Sequence, residues 1–157
     1  MKKTLLLLLL FESFLSFSQE KKQTLKVFTF SEVEKIQQQN PKPIIVFITT
    51  DWCKICHGMK STTLEDRDII QLLNDKFYFI KLNAEEKENI TFLKRTFEYK
   101  PTGINTGLHE LANQLGSVGN VMIYPTTTFL NSNFEIDLQL TGFYNKKRMK
   151  KILAKYK

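Results

Sequence analysis

The chain has 157 residues, a formal net charge of +7 and 42 % hydrophobic residues, enough for one folded domain with a sizeable core. It holds two cysteines only three positions apart, and so short a loop constrains the unfolded chain little, which excludes a disulfide-braced scaffold and leaves chemistry as the reason for the pair. Much of the basic excess lies near the C-terminus, in Lys146, Lys147, Arg148, Lys150, Lys151, Lys155 and Lys157. No aromatic residues alternate with these cations to make a base-stacking surface, so no nucleic-acid partner is expected.

The chain opens with Lys2 and Lys3, an apolar run over residues 5–11, and small side chains at Ser16 and Ser18. That is the layout of a secretory signal peptide, with cleavage after Ser18 and residues 19–157 as the working domain. Glu12 and Ser13 stop the apolar run well short of the roughly 20 residues a membrane span requires, and no later segment is apolar enough. The expectation is an exported, periplasmic protein without stable membrane insertion. No cysteine stands in the leader to carry a lipid.

Residues 25–30 then read as a first strand, and Ser31 with Glu34 fits a capping box for a short helix carrying Val33 and Ile36 on one face. Pro41 and Pro43 forbid its continuation. Residues 44–48 are a continuous apolar, β-branched run, the pattern of a strand buried on both faces. A helix is expected from Cys53 through Met59, another over 66–74, and a strand over 77–82. Residues 90–99 alternate like a β-hairpin.

Pro101, Gly103 and Gly107 mark a loop, and Leu108, Leu111, Ala112 and Leu115 repeat at helical spacing up to Gly116. This puts His109 on a helix, as a surface or core-edge residue. A strand over 126–130, a turn over 131–133, a strand over 134–140 and a last helix over 145–156 complete the chain. Strands alternating with helices give an α/β sheet covered on both faces, which the closing hairpin makes mixed.

The stretch that carries chemistry is Asp51-Trp52-Cys53-Lys54-Ile55-Cys56-His57. It follows a buried strand and opens a helix, so Cys53 sits where unpaired N–H groups and the helix dipole favour an anion. That lowers the thiol pKa, and Lys54 and a protonated His57 add positive charge. Cys56, one turn on, is more buried and within disulfide reach. The pattern fits a nucleophile and a resolving thiol: Cys53 attacks a partner disulfide, and Cys56 releases the product.

These residues resemble the active site of the thioredoxin family, as Tyr124-Pro125-Thr126 resembles its cis-proline segment. The resemblance implies a thioredoxin fold, with a central mixed β-sheet flanked by helices and an insertion before the cis-Pro strand. It also implies dithiol–disulfide exchange with protein partners, no cofactor and no metal. By the same resemblance Pro125 lies beside Cys53, the Tyr124 backbone pairs with the substrate chain, and Trp52 shields the nucleophile. The expected protein is a monomeric periplasmic reductase served by a thiol electron donor.

Three departures stand out. The dipeptide between the cysteines is Lys54-Ile55 and not Gly-Pro; Phe47 occupies the place, six residues before Cys53, where many relatives hold a buried carboxylate; and residues 88–120 are longer than a plain thioredoxin needs. Other readings are a c-type haem site at Cys53-Lys54-Ile55-Cys56-His57, a zinc site from those three ligands plus His109, and a non-catalytic binding module.

Overall fold

The computed structural model describes residues 23–156; the expected leader and the first residues after it lie outside that range. Helix α1 (Phe30–Gln37) leads to strand β1 (Ile44–Thr49), helices α2 (Lys54–Thr62) and α3 (Arg67–Lys76) and strand β2 (Tyr78–Asn83). Four short strands follow, β3 (Ile90–Phe92), β4 (Arg95–Phe97), β5 (Tyr99–Pro101) and β6 (Gly107–His109), then helix α4 (Glu110–Gly116). Strands β7 (Thr126–Leu130) and β8 (Ile136–Thr141) and helix α5 (Lys146–Lys155) close the fold.

The main sheet has the order β2-β1-β7-β8. β1 and β2 run parallel and the other pairs antiparallel, so the sheet is mixed, as the sequence implied. All six side chains of β1 are buried. Successive side chains of a strand point to opposite faces, and two cores result. Ile44, Val46 and Ile48 join Val33 of α1 and Leu111 and Leu115 of α4. Ile45 and Phe47 join Met59 of α2, Ile69 and Leu73 of α3, and Met149 and Leu153 of α5. Each such side chain contributes about 1.5–3 kcal/mol by leaving water.

Several local expectations shift. Residues 25–30 make no strand; only Phe28 bridges Ile80, its N–H donating to the Phe79 carbonyl at 2.8 Å. The capping box falls two residues early, at Thr29 and Glu32. Glu32 N–H donates to Thr29 Oγ1 at 3.2 Å and Thr29 N–H to Glu32 Oε2 at 2.7 Å. That register buries Phe30, Val33 and Gln37 along one helical stripe.

The expected hairpin over 90–99 is two hairpins. β3 pairs β4, with Ile90 opposite Phe97, whereas Tyr99 belongs to β5 and pairs His109 of β6, where a loop up to Gly107 and then a helix were expected. Strand β8 starts two residues late, because Phe134 adopts φ 66° and its turn is held by Asn131, whose Oδ1 accepts from Asn133 and Glu135 N–H.

Two cations of the basic helix α5 reach the start of α3. Lys146 lies 3.4 Å and Lys150 3.1 Å from the Asp66 carboxylate at the start of α3. Tyr156 packs on Phe77 and Phe129, and its hydroxyl donates to Asp137 Oδ2 at 2.6 Å.

Candidate active site

The site sits at the C-terminal end of β1, where the chain turns through Thr50, Asp51 and Trp52 into α2. Cys53 is the N-cap of that helix, with extended backbone (φ −76°, ψ 96°). Its Sγ accepts a hydrogen bond from the Cys56 N–H at 3.1 Å, the role an Asp or Ser oxygen plays at other helix starts. The two cysteines form a disulfide with Cα atoms 5.3 Å apart. Cys53 keeps 6 % exposure and Cys56 none, so only the first sulfur is near solvent.

His57 reaches back to the loop before Cys53. Its Nε2 lies 2.8 Å from the Asp51 carbonyl, which can only accept, so that nitrogen carries the proton. The ring thereby ties α2 to the loop that delivers Cys53. Lys54 is exposed at the first helical position.

Trp52 is 64 % exposed, yet it is held. Its indole N–H lies 3.1 Å from both carboxylate oxygens of Glu85, and its ring meets Tyr124 edge-on at 5.7 Å. Glu85 N–H donates to Asn83 Oδ1 at 3.1 Å, and Asn83 Nδ2 donates to Asp51 Oδ2 at 3.3 Å, closing a network around the loop. Burial, and then the Glu85 charge, push the Tyr124 hydroxyl above the ordinary tyrosine range. Glu85 and Asn83 escaped the sequence reading. The signal available was topological: the end of a strand parallel to β1 must emerge beside the end of β1.

The Tyr124-Pro125 peptide is cis, and the Trp52–Tyr124 contact brings this segment to the cysteine loop. Gly142 N–H donates to the Pro125 carbonyl at 2.7 Å, fixing the segment from the β8 side. Phe47 is fully buried against Phe79, and among the described residues no Asp, Glu, Lys or Arg is buried. Among the described residues, no buried carboxylate stands in for the one expected at the place of Phe47.

His109 is neither at the surface nor within a helix. It caps α4, fully buried, with Nδ1 accepting the Leu111 N–H at 3.2 Å. Among the described residues no three His, Cys, Asp or Glu side chains gather as a metal site would need. No helix there is long and apolar enough to cross a membrane.

The sheet order, the N-cap cysteine and the neighbouring cis-proline define a thioredoxin-type α/β domain. The chain belongs to the thioredoxin-like domain family, whose sequence profile matches residues 30–157. In fold it is similar to the DsbH oxidoreductase, at 16 % identity and TM-score 0.60, covering 89 % of this chain and 90 % of that one. It is also similar to a putative disulphide-isomerase from Bacteroides thetaiotaomicron, at 21 % identity and TM-score 0.57, covering 89 % and 99 %. A 66-residue stretch is 30 % identical to the uncharacterized protein B0495.5 of Caenorhabditis elegans, covering 42 % of this chain and only 9 % of that one.

Proposed function

We propose that this protein is an exported thiol–disulfide oxidoreductase that reduces disulfides of protein partners, with Cys53 as nucleophile and Cys56 as resolving thiol. The observation that carries the reading is the Cys53 Sγ at a helix N-terminus, accepting a main-chain N–H, with the buried Cys56 behind it. In the reduced protein the Cys53 thiolate attacks one sulfur of a partner disulfide. A mixed disulfide forms and the other partner sulfur leaves as a thiolate. The Cys56 thiolate then attacks Cys53 Sγ, forming the Cys53–Cys56 bond and expelling the second partner sulfur. Two electrons pass from the pair to the partner; the protons end on the partner thiols.

With Phe47 where a carboxylate would sit, the Cys56 proton leaves to water or to the departing thiolate. An external thiol donor of two electrons resets the pair. Trp52 and Tyr124 frame the attacked sulfur, Pro125 borders it, Lys54 favours the thiolate, and His57 steadies the loop. Residues 1–18 serve as a cleaved leader to the periplasm, and residues 19–157 act as a monomer there.

The test is reduction of insulin or a dye-labelled disulfide by the reduced protein. Turnover that vanishes in Cys53→Ser supports the reading, and turnover that survives the change rejects it. Equilibration of the pair with glutathione fixes direction: a potential near that of strong oxidants overturns the reductase assignment.

A further inference from the structure

Helix α5 concentrates the positive charge of the fold. Its ten residues include Lys146, Lys147, Arg148, Lys150, Lys151 and Lys155 and no carboxylate. Over residues 23–145, by contrast, Asp and Glu together outnumber Lys and Arg. The positive excess of the described residues therefore stands on this one helix. Met149 and Leu153 turn into the core. Lys147, Lys151 and Lys155 recur every fourth residue and so share one face. At about 100° per residue that face lies opposite Met149 and Leu153, and all three lysines are exposed. Lys146 and Lys150, on the flank, are compensated by Asp66 of α3. Lys147, Lys151 and Lys155 meet no carboxylate among the described residues.

We propose that Lys147, Lys151 and Lys155 form a cationic strip that seats the protein reversibly on an anionic lipid bilayer. The three ammonium groups span about 12 Å along the helix. They are compact, strongly hydrated charges without a fixed hydrogen-bonding geometry, which suits a plane of lipid phosphates. A protein partner demands something else: protein interfaces deplete lysine and gather aromatic and apolar residues at their centre. Beside these lysines the exposed uncharged residue is Ala154, which offers one methyl group. Arg148 extends the charge, its guanidinium 5.6 Å from the Tyr144 ring. Because the rest of the fold carries an acidic excess, an anionic plane attracts α5 and repels the remainder, and the protein docks in one orientation.

The experiment uses residues 19–157, which hold every described element and lack the apolar leader. Vesicles are of phosphatidylcholine alone or of phosphatidylcholine and phosphatidylglycerol in equal parts. The strip requires cosedimentation with the anionic vesicles only, at low salt, and release at high salt. Lys147→Gln, Lys151→Gln and Lys155→Gln combined weaken partitioning roughly 100-fold, about fivefold for each lysine. Glutamine keeps the helix propensity, so circular dichroism and insulin reduction in solution stay as they were. A charge-matched variant, Lys35→Gln, Lys81→Gln and Lys94→Gln, changes lysines exposed elsewhere and keeps its binding. Equal loss in the two triple variants reduces the effect to net charge and overturns the strip. Equal binding to neutral vesicles overturns it too. No binding to anionic vesicles overturns the bilayer as partner, and capture of polyglutamate in that case assigns the face to an acidic polypeptide.

Discussion

The geometry around Cys53 makes a quantitative demand on the reduced protein. The sulfur sits at the N-terminus of a nine-residue helix, and the Cys56 N–H already points at it from 3.1 Å. A helix terminus is worth roughly 0.3–1 kcal/mol to an exposed anion and up to ~2 when partly buried. A hydrogen bond to a charged group adds about 1.5–3 kcal/mol, offset here by partial desolvation of the thiolate. A net thiolate stabilisation of about 1–3 kcal/mol raises the thiolate-to-thiol ratio roughly 5- to 160-fold over the unfolded chain. The perturbation is unfolding itself: thiolate absorbance near 240 nm is followed against pH for the reduced protein, native and in denaturant. The native thiolate persists to lower pH than the denatured one. Lys54→Gln narrows the difference only modestly, because Lys54 is exposed and its charge is screened. Coincident native and denatured curves would refute the assignment of Cys53 as an activated nucleophile.

Glu85→Ala removes the acceptor of the Trp52 indole and shifts the emission of this single tryptophan to the red, whereas Glu85→Gln keeps an acceptor and the native emission. Glu85→Gln also lowers the Tyr124 hydroxyl pKa part of the way back, since burial remains; phenolate absorbance, with Tyr124→Phe as the blank, reads this out. Gly116→Ala places a methyl 2.8 Å from Ile48 Cδ1 and 3.0 Å from Met122. Both neighbours are side-chain ends that can shift, so it costs no more than about 1 kcal/mol in urea unfolding and slows exchange by displacing Met122, which leads into the cis-proline segment. Thr29→Ala breaks the capping box of α1 and lowers stability by about 1 kcal/mol without touching exchange.

What the sequence made legible was whatever local chemistry decides. The β1 run is apolar on both faces, so no register error was open to it. Cys53 follows the end of an apolar strand and precedes a helical stretch, and the structure makes it the N-cap of that helix. The cap of α1 was ambiguous because Thr29 with Glu32 and Ser31 with Glu34 both fit the pattern. The burial of Phe30 and Gln37, a tertiary fact, chooses between them. The hairpin that turns at Leu93 and Lys94 was legible although their φ angles of 52° and 63° lack the usual Asn or Gly, whereas the pairing of Tyr99 with His109 was not, because Pro101, Gly103 and Gly107 between them signal only a loop. Leu93 N–H donates to Glu34 Oε1 of α1 at 2.9 Å, a long-range prop no local pattern reveals. The same holds for Glu85, which reaches Trp52 only because two parallel strands end side by side.

The most direct test uses the reduced Cys56→Ser protein mixed with a peptide disulfide and analysed by intact mass and peptide mapping. A stable adduct joined through Cys53, absent when Cys53→Ser is treated identically, is the predicted result. Equal trapping through Cys56 in the Cys53→Ser protein, or no adduct on either variant, contradicts the assigned roles.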